Sequence, residues 1–267
     1  MWTEALRPNN IFMTTLRSGL VSISFRKVPA SELIEEVVKA GQQGIEWGGD
    51  VHVPHGDTPK AERVARWTRD AGLETAAYGS YYRLGDDESP EIEAVLDSAE
   101  ALGAPTIRVW AGKKASADAN EAYRDLVKAD ARRICEMAEK RNLRIALEYH
   151  GGTLTDSIES AVELLQDLPL RSLDSLWQPP NGQPEDKCEE SLRTILPRVS
   201  NVHVFHWGKG FKERFPLAEG KTRWSRYFEL LQEDPKPRWA LMEFVKGDEL
   251  SQYHADALTL HELLNDT

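Results

Sequence analysis

Short apolar runs alternate with amphipathic helical segments along most of this chain. From Leu20 onward, eight runs predict strands: LVSIS, GIEWG, LETAAYG, TIRVWAG, RIALEYH, SLWQPP, NVHVFHW and RWALMEF. Each run is nearly continuous in hydrophobicity, as expected of parallel strands that are buried on both faces. The alternation therefore predicts βα units arranged around a parallel sheet.

The segments between these runs carry helix start and stop signals. Cap residues and early prolines predict helix starts, and glycines predict helix ends in KAGQQG, DAGLE and ALGAP. No linker rich in Gly, Pro or Ser divides the chain, so we predict one TIM barrel, (β/α)8, over residues 18–267. A doubly wound open sheet is the weaker alternative, because no G-x-G-x-x-G follows the first strand.

Residues 1–17 show no clear hydrophobic period. We predict that they form an N-terminal extension outside the barrel, which could be disordered, or that the natural start is Met13. The segment has neither a basic n-region nor an apolar h-region, so the sequence does not predict export. We expect a cytoplasmic location.

The formal net charge of -11 would repel a phosphate backbone, and no long Lys/Arg run offsets it. We therefore expect no nucleic-acid partner. No apolar stretch approaches the ~20 residues that span a bilayer, so we expect no membrane partner either. Cys135 and Cys188 lie far apart, which argues against a disulfide framework and favours a reducing compartment.

The residues that end the apolar runs are unusually polar for a barrel. In such folds the chemistry lies at the C-terminal ends of the strands. Glu148, Gln178, His203 and Glu243 end the last four runs. Buried carboxylates are costly unless they are paired, protonated or bound to a metal, and this set suits Mn, Mg, Co or Zn. The alternative for each carboxylate is a salt bridge to a neighbouring Arg or Lys.

These motifs resemble the xylose isomerase-like TIM-barrel family, which contains sugar and sugar-phosphate isomerases and epimerases, inosose dehydratase and endonuclease IV. The resemblance runs from about Leu20 to the C-terminus and rests on GIEWG, RVWAG, ALEYHGGTLTD, NVHVFHW and LMEF. Family members commonly hold one divalent metal with Glu, Asp, His and Glu from strands five to eight. The resemblance implies the same role for Glu148, Gln178, His203 and Glu243, although Gln178 is neutral where Asp is usual. That departure weakens metal binding or removes it.

The resemblance implies a metal-dependent carbohydrate isomerase or epimerase that transfers a proton through an enediolate of a keto-sugar or sugar derivative. Glu148 and Glu243 would be the catalytic pair. A lyase or dehydratase acting on a keto-inositol, keto-sugar or oxidised glycoside is the first alternative. A barrel that binds sugar without catalysis is the second, and endonuclease IV-like activity is disfavoured because it needs a richer metal cluster and a basic groove.

Further polar and aromatic residues near the strand ends are predicted to bind the carbohydrate substrate: Glu46, His52, Tyr78, Arg108, Trp110 and His206. For Arg108 the alternative is a buried ion pair with Glu46 or Glu148. Trp47 and Trp110 could instead be core residues, and the role of His150 stays open. His55, Lys209 and Lys246 are weaker candidates, residues 209–224 could form a lid, and related barrels often form homo-oligomers.

Overall fold

The computed structural model describes residues 16–210 and 212–266. Eight parallel strands close into a barrel in sequence order, which confirms the predicted (β/α)8 fold. The strands are β1 Leu16–Val21, β2 Gly44–Gly48, β3 Glu74–Arg83, β4 Thr106–Trp110, β5 Arg144–Glu148, β6 Leu173–Trp177, β7 Val199–Val204 and β8 Arg238–Met242.

One α-helix follows each strand around the outside of the barrel. The helices are α1 Ala30–Lys39, α2 Thr58–Asp70, α3 Ile92–Leu102, α4 Glu121–Glu139, α5 Ile158–Asp167, α6 Glu185–Ile195, α7 Lys221–Gln232 and α8 Leu250–Asp266. Side-chain caps begin three of them: Asp57 accepts from the Lys60 amide, Asn120 from Tyr123 and Ser157 from Ser160. In the described ranges, no helix is long and apolar enough to cross a membrane.

The first strand differs from its prediction at both ends. Leu16 and Arg17 lie in β1 and pair with Arg238 and Trp239 of β8, so the barrel begins two residues before the predicted boundary. Pairing with β8 stabilises this segment although its polar residues interrupt the apolar run. The strand ends at Val21, and residues 22–25 form a short 3-10 helix. The rest of the predicted extension, residues 1–15, lies outside the described residues.

The strands β5 to β8 bring four distant segments of the chain to the same end of the barrel. Glu148 is the last residue of β5, Gln178 and Glu243 directly follow β6 and β8, and His203 lies near the end of β7. In a closed parallel barrel these ends form one face. The fold thus places the four predicted ligands around one opening.

Candidate metal and substrate site

Glu148, His203 and Glu243 form a compact cluster at the C-terminal end of the barrel. One potential ligand atom from each residue lies within 4.8 Å of the others. All three side chains are buried, Glu148 and Glu243 also line a cavity, and His203 is completely inaccessible. Two carboxylates and an imidazole at this spacing are a suitable ligand set for a divalent cation.

Gln178 presents a single free acceptor beside this cluster. Its Nε2 donates to Glu148 Oε1 at 3.2 Å and to the backbone oxygen of Tyr149 at 2.9 Å. These two bonds fix the orientation of the amide. Its Oε1 is buried and has no hydrogen-bond partner among the described residues. An unpaired buried oxygen is costly, so Oε1 is suited to accept a cation or a donor from a ligand.

Arg108 connects the cluster to the carboxylate of Glu46. Its Nε donates to Glu46 Oε1 at 2.6 Å, and its Nη1 donates to Glu148 Oε2. The guanidinium is therefore the buried ion-pair partner of both carboxylates. Gly79 makes room for it, because a Cβ there would lie 2.5 Å from Arg108 Nη2.

The carboxylates of this network are held in their ionised form. Burial alone would raise the pKa of Glu46, but Arg108 and His203 lower it to about 2. The pKa of Glu148 is likewise lowered, because Arg108 outweighs the effect of burial. Trp110 Nε1 also donates to Glu148 Oε2. Glu148 is thus a carboxylate with three side-chain donors and little tendency to accept a proton.

His203 lies between two carboxylates. Its Nε2 donates to Glu46 Oε2 at 3.2 Å, whereas Nδ1 lies 3.4 Å from Glu243 Oε2 without a hydrogen bond of acceptable geometry. Burial alone would lower the pKa of His203, but Glu243 and Glu46 raise it to about 10. His203 Nδ1 can bind either a proton or a metal ion but not both, because each needs the lone pair of this nitrogen.

The charges of the site fit a divalent cation. Glu46, Glu148 and Glu243 carry three negative charges against the one guanidinium of Arg108. With a neutral His203, two negative charges stay uncompensated in a buried region, where that is costly. A divalent ion held by Glu148, Gln178 Oε1, His203 Nδ1 and Glu243 would balance them. A neutral Gln178 is compatible with this balance because Glu46 supplies a third carboxylate.

A cavity of about 470 Å³ opens beside the cluster. This volume lies in the usual range for small-molecule sites. Glu148, Gln178 and Glu243 contribute to its wall, together with Arg108 and Trp110. Five predicted site residues, on or directly after β4, β5, β6 and β8, therefore line one cavity, and His203 lies buried behind this wall.

His150, whose role the sequence left open, also lines this cavity. Its ring packs on Trp110 with centroids 4.8 Å apart and an interplanar angle of 31°. Nδ1 lies 2.7 Å from the backbone oxygen of Gly151, so Nδ1 carries the proton and donates. In the neutral ring Nε2 then has the lone pair, which makes it a potential base.

Four of the predicted substrate-binding residues do not line the cavity. Glu46 and Tyr78 are completely buried, and the Tyr78 hydroxyl donates to the backbone oxygen of Val53 at 2.8 Å. His52 is buried between Ser22 and the backbone oxygen of Val28. His206 packs against Phe215. Glu46, Tyr78 and His52 are thus occupied by hydrogen bonds within the protein, whereas His206 Nδ1 is buried without a hydrogen-bond partner among the described residues.

The weaker candidates also lie elsewhere. Trp47 is completely buried, and His55 bonds the backbone oxygen of Ser80 at 2.7 Å. The cavity wall includes neither Lys209 nor Lys246. No described residue of the predicted lid, 209–224, contributes to the wall either, and Phe211 lies outside the described residues.

The structure adds lining residues that the strand-end pattern did not select: Tyr81, Asp156, Asn181, Gln183, Trp207 and Phe244. Tyr81 adopts a left-handed conformation with φ of 57° where the register of β3 against β4 shifts. That irregularity has no signal in the hydrophobic pattern. Asp156 directly precedes the helix cap Ser157, and Trp207 ends the predicted strand NVHVFHW.

Comparisons with known proteins agree with this architecture. A family model described as xylose isomerase-like TIM barrel matches residues 34–263. A 3-dehydroshikimate dehydratase of Bacillus anthracis is 29% identical over 207 residues, which cover 70% of this chain and 71% of that protein.

Solved structures show the same fold. The crystal structure of a probable 3-DHS dehydratase from Bacillus anthracis matches with a TM-score of 0.77 and 20% identity, covering 92% of this chain and 98% of the other. A 3-keto-D-glucoside 4-epimerase from E. coli matches with a TM-score of 0.72 and 17% identity, covering 94% and 100%. The family match spans most of the described barrel, and the chain therefore belongs to the xylose isomerase-like TIM-barrel family.

Proposed function

We propose that this protein is a metal-dependent isomerase or epimerase that moves a proton at a carbon next to the carbonyl of a sugar-like substrate. The observation that carries the proposal is the cluster of Glu148, His203 and Glu243 beside the cavity, with Gln178 in contact with Glu148. Glu148, Gln178 Oε1, His203 Nδ1 and Glu243 would hold one divalent cation. When bound, the cation would supply Lewis-acid polarisation of the substrate carbonyl.

The residues that carry the proton should line the cavity and should not already accept several hydrogen bonds from the protein. Glu148 accepts from Arg108, Trp110 and Gln178, so its hydrogen bonds favour a ligand role over that of a base. Glu243 and His150 line the same cavity and are less engaged. We assign proton transfer to these two, because epimerisation needs one group that removes the proton and a second that returns it to the other face of the substrate, and both residues line the cavity.

The remaining wall residues would position the substrate and exclude water. Trp110 is fixed by its bond to Glu148 and by its contact with His150, so its ring is held in one orientation. Trp207 is fixed by donation from Nε1 to the backbone oxygen of Phe244 at 3.2 Å. Ordered aromatic faces suit the C–H faces of a sugar.

The first test is metal content by elemental mass spectrometry on wild type, Glu148→Gln and Glu243→Gln after mild dialysis. Near-stoichiometric divalent metal in wild type that is lost in both variants supports the proposal. Exposed Glu62→Gln is the matched control for loss of one carboxylate. Wild-type protein that takes up no metal even after reloading would refute the metal-dependent reaction.

The second test follows the proton. Metal-loaded enzyme is incubated with keto-sugars in D₂O, and NMR detects deuterium at the carbon beside the carbonyl. We expect incorporation in wild type and its loss in Glu243→Gln or His150→Gln. A panel without any incorporation or product would contradict the proposed isomerase.

A dehydratase is the second candidate, and the 29% identical 3-dehydroshikimate dehydratase favours it. Elimination needs only one base to remove the proton while a β-leaving group departs. His150 could remove that proton and return it to the β-hydroxyl, whose C–O bond breaks as the C=C bond forms, so that water departs. Mass spectrometry of the product distinguishes the two, because a dehydratase product has lost water and an isomerase product has the mass of the substrate.

A further inference from the structure

Asp156 is an incompletely bonded carboxylate in the cavity wall. It lies between β5 and α5, directly before the helix cap Ser157, and it lines the same cavity as Glu243. Its Oδ2 accepts from the backbone N–H of Ser116 at 3.0 Å. Its Oδ1 is buried and accepts no hydrogen bond from any residue that the structure describes. A buried carboxylate oxygen without a donor is costly, so a donor from the cavity is expected to complete it.

The cations of the cavity wall are already neutralised by the protein's own acids. Arg26 pairs with Asp50 and donates to the Tyr81 hydroxyl at 2.6 Å. Arg108 pairs with Glu46 and Glu148. The lining contains no other Arg and no Lys within residues 16–210 and 212–266. Away from the metal cluster, the wall therefore offers no uncompensated cation for a carboxylate or phosphate.

The rest of the wall offers uncharged contacts. Tyr81, Trp110, Trp207 and Phe244 supply aromatic surface, and Asn181 and Gln183 supply amide groups. Aromatic surface packs against apolar ring faces, whereas amides and a carboxylate bond hydroxyl groups. This combination suits a ring that carries many hydroxyl groups and no charge.

We propose that Asp156 is a specificity-determining residue that accepts a hydrogen bond from a hydroxyl of an uncharged, polyhydroxylated ring and repels anionic substituents at that position. The inference rests on the proposed function, since it assigns the substrate class of the same cavity. It selects neutral sugars or glycosides over sugar acids and sugar phosphates. The hydroxyl donor satisfies Oδ1, whereas a carboxylate there would meet a like charge.

The experiment compares two ligands that differ only at C6. Methyl β-D-glucopyranoside has a hydroxymethyl group where methyl β-D-glucuronopyranoside has a carboxylate, and the corresponding galactosides form a second pair. Isothermal titration calorimetry on Mn²⁺-loaded protein measures all four Kd values. We expect wild type to bind the neutral member of at least one pair tenfold or more tightly than its acid.

Two variants separate hydrogen bonding from charge. Asp156→Asn keeps an oxygen for the Ser116 amide and removes the charge, so we expect the preference for the neutral ligand to fall severalfold. Because that oxygen is engaged by the Ser116 amide, Asp156→Asn presents an NH₂ group at the Oδ1 position, which can donate to a hydroxyl oxygen of the ligand. Asp156→Ala removes every polar contact at this position and is expected to weaken binding of the neutral ligand. Exposed Asp70→Asn changes the net charge equally and should leave all four Kd values unchanged.

Several results would overturn this assignment: equal or tighter binding of the acids by wild type, a preference unchanged in Asp156→Asn, or no binding of either pair. Binding needs no turnover, so the two proposals fail separately. If wild type prefers the neutral ligand but exchanges no proton, the proposed reaction is refuted and the proposed substrate class stands. Proton exchange with an unchanged preference in Asp156→Asn would refute only the role of Asp156.

Discussion

The imidazole of His203 donates from Nε2 to Glu46 Oε2 at 3.2 Å, and both side chains are completely buried. The bond places a ring proton on Nε2, and Nδ1 lies 3.4 Å from Glu243 Oε2. A carboxylate that accepts from a ligating histidine orients the ring and raises its basicity. We therefore interpret Glu46 as a positioning residue for the metal site, not as a contact of the substrate.

Replacing Glu46 should weaken metal binding without removing a ligand. Because Glu46→Gln loses the negative charge that supports His203, we expect metal affinity to fall by roughly 10- to 100-fold. Competition with a fluorescent chelator measures the affinity. Exposed Glu62→Gln serves again as the control, and an affinity equal to that of wild type would contradict this role.

Gln178→Glu tests the neutral position in the ligand set. The new carboxylate loses both Nε2 donor bonds and faces Glu148, so we expect the metal-free protein to lose about 1–3 kcal/mol of stability. The additional anionic ligand should increase the stabilisation produced by added Mn²⁺. Thermal unfolding with EDTA and with Mn²⁺ measures both effects, and exposed Gln166→Glu on α5 is the control. A variant with the same unfolding temperatures as wild type, with EDTA and with Mn²⁺, would contradict both the stabilising effect of these hydrogen bonds and the ligand role of Gln178.

His150→Gln separates proton transfer from metal binding. If His150 moves a proton, kcat should fall about 10²- to 10⁴-fold while metal content stays unchanged. His254→Gln is the matched control, because His254 pairs with Glu36 at 2.7 Å, away from the cavity. Loss of metal together with activity would instead place His150 among the residues that maintain the metal site.

The pH dependence of stability should report on His52. Its Nε2 donates to Val28 O, its Nδ1 accepts from the Ser22 hydroxyl, and burial lowers its pKa below 6.5. A lowered histidine pKa stabilises the fold above the unfolded-state value of about 6.5, and this contribution is lost as pH falls toward the folded-state value. Urea unfolding between pH 8 and pH 5 measures this effect. Because one histidine titrates in that window, the free energy of unfolding should fall more steeply with decreasing pH in wild type than in His52→Gln. Parallel curves for the two proteins would exclude the effect.

The hydrophobic alternation was sufficient to predict the barrel, because eight buried runs separated by capped helices have few other solutions. It also predicted that Glu148, Gln178, His203 and Glu243 converge, since parallel strands in a closed barrel end on one face. The predicted cytoplasmic location and homo-oligomer stay predictions.

Only the tertiary structure decided which contacts each side chain makes. Glu46 and His203 are 157 positions apart, and no local pattern relates them. For Arg108 the sequence left a substrate contact or an ion pair open, and the structure has Arg108 paired with Glu46 and Glu148 while it also lines the cavity. The unpaired Oδ1 of Asp156 likewise depends on how two loops meet. Periodicity determines which face of an element is buried, whereas hydrogen-bond partners depend on distances between segments that only the folded chain brings together.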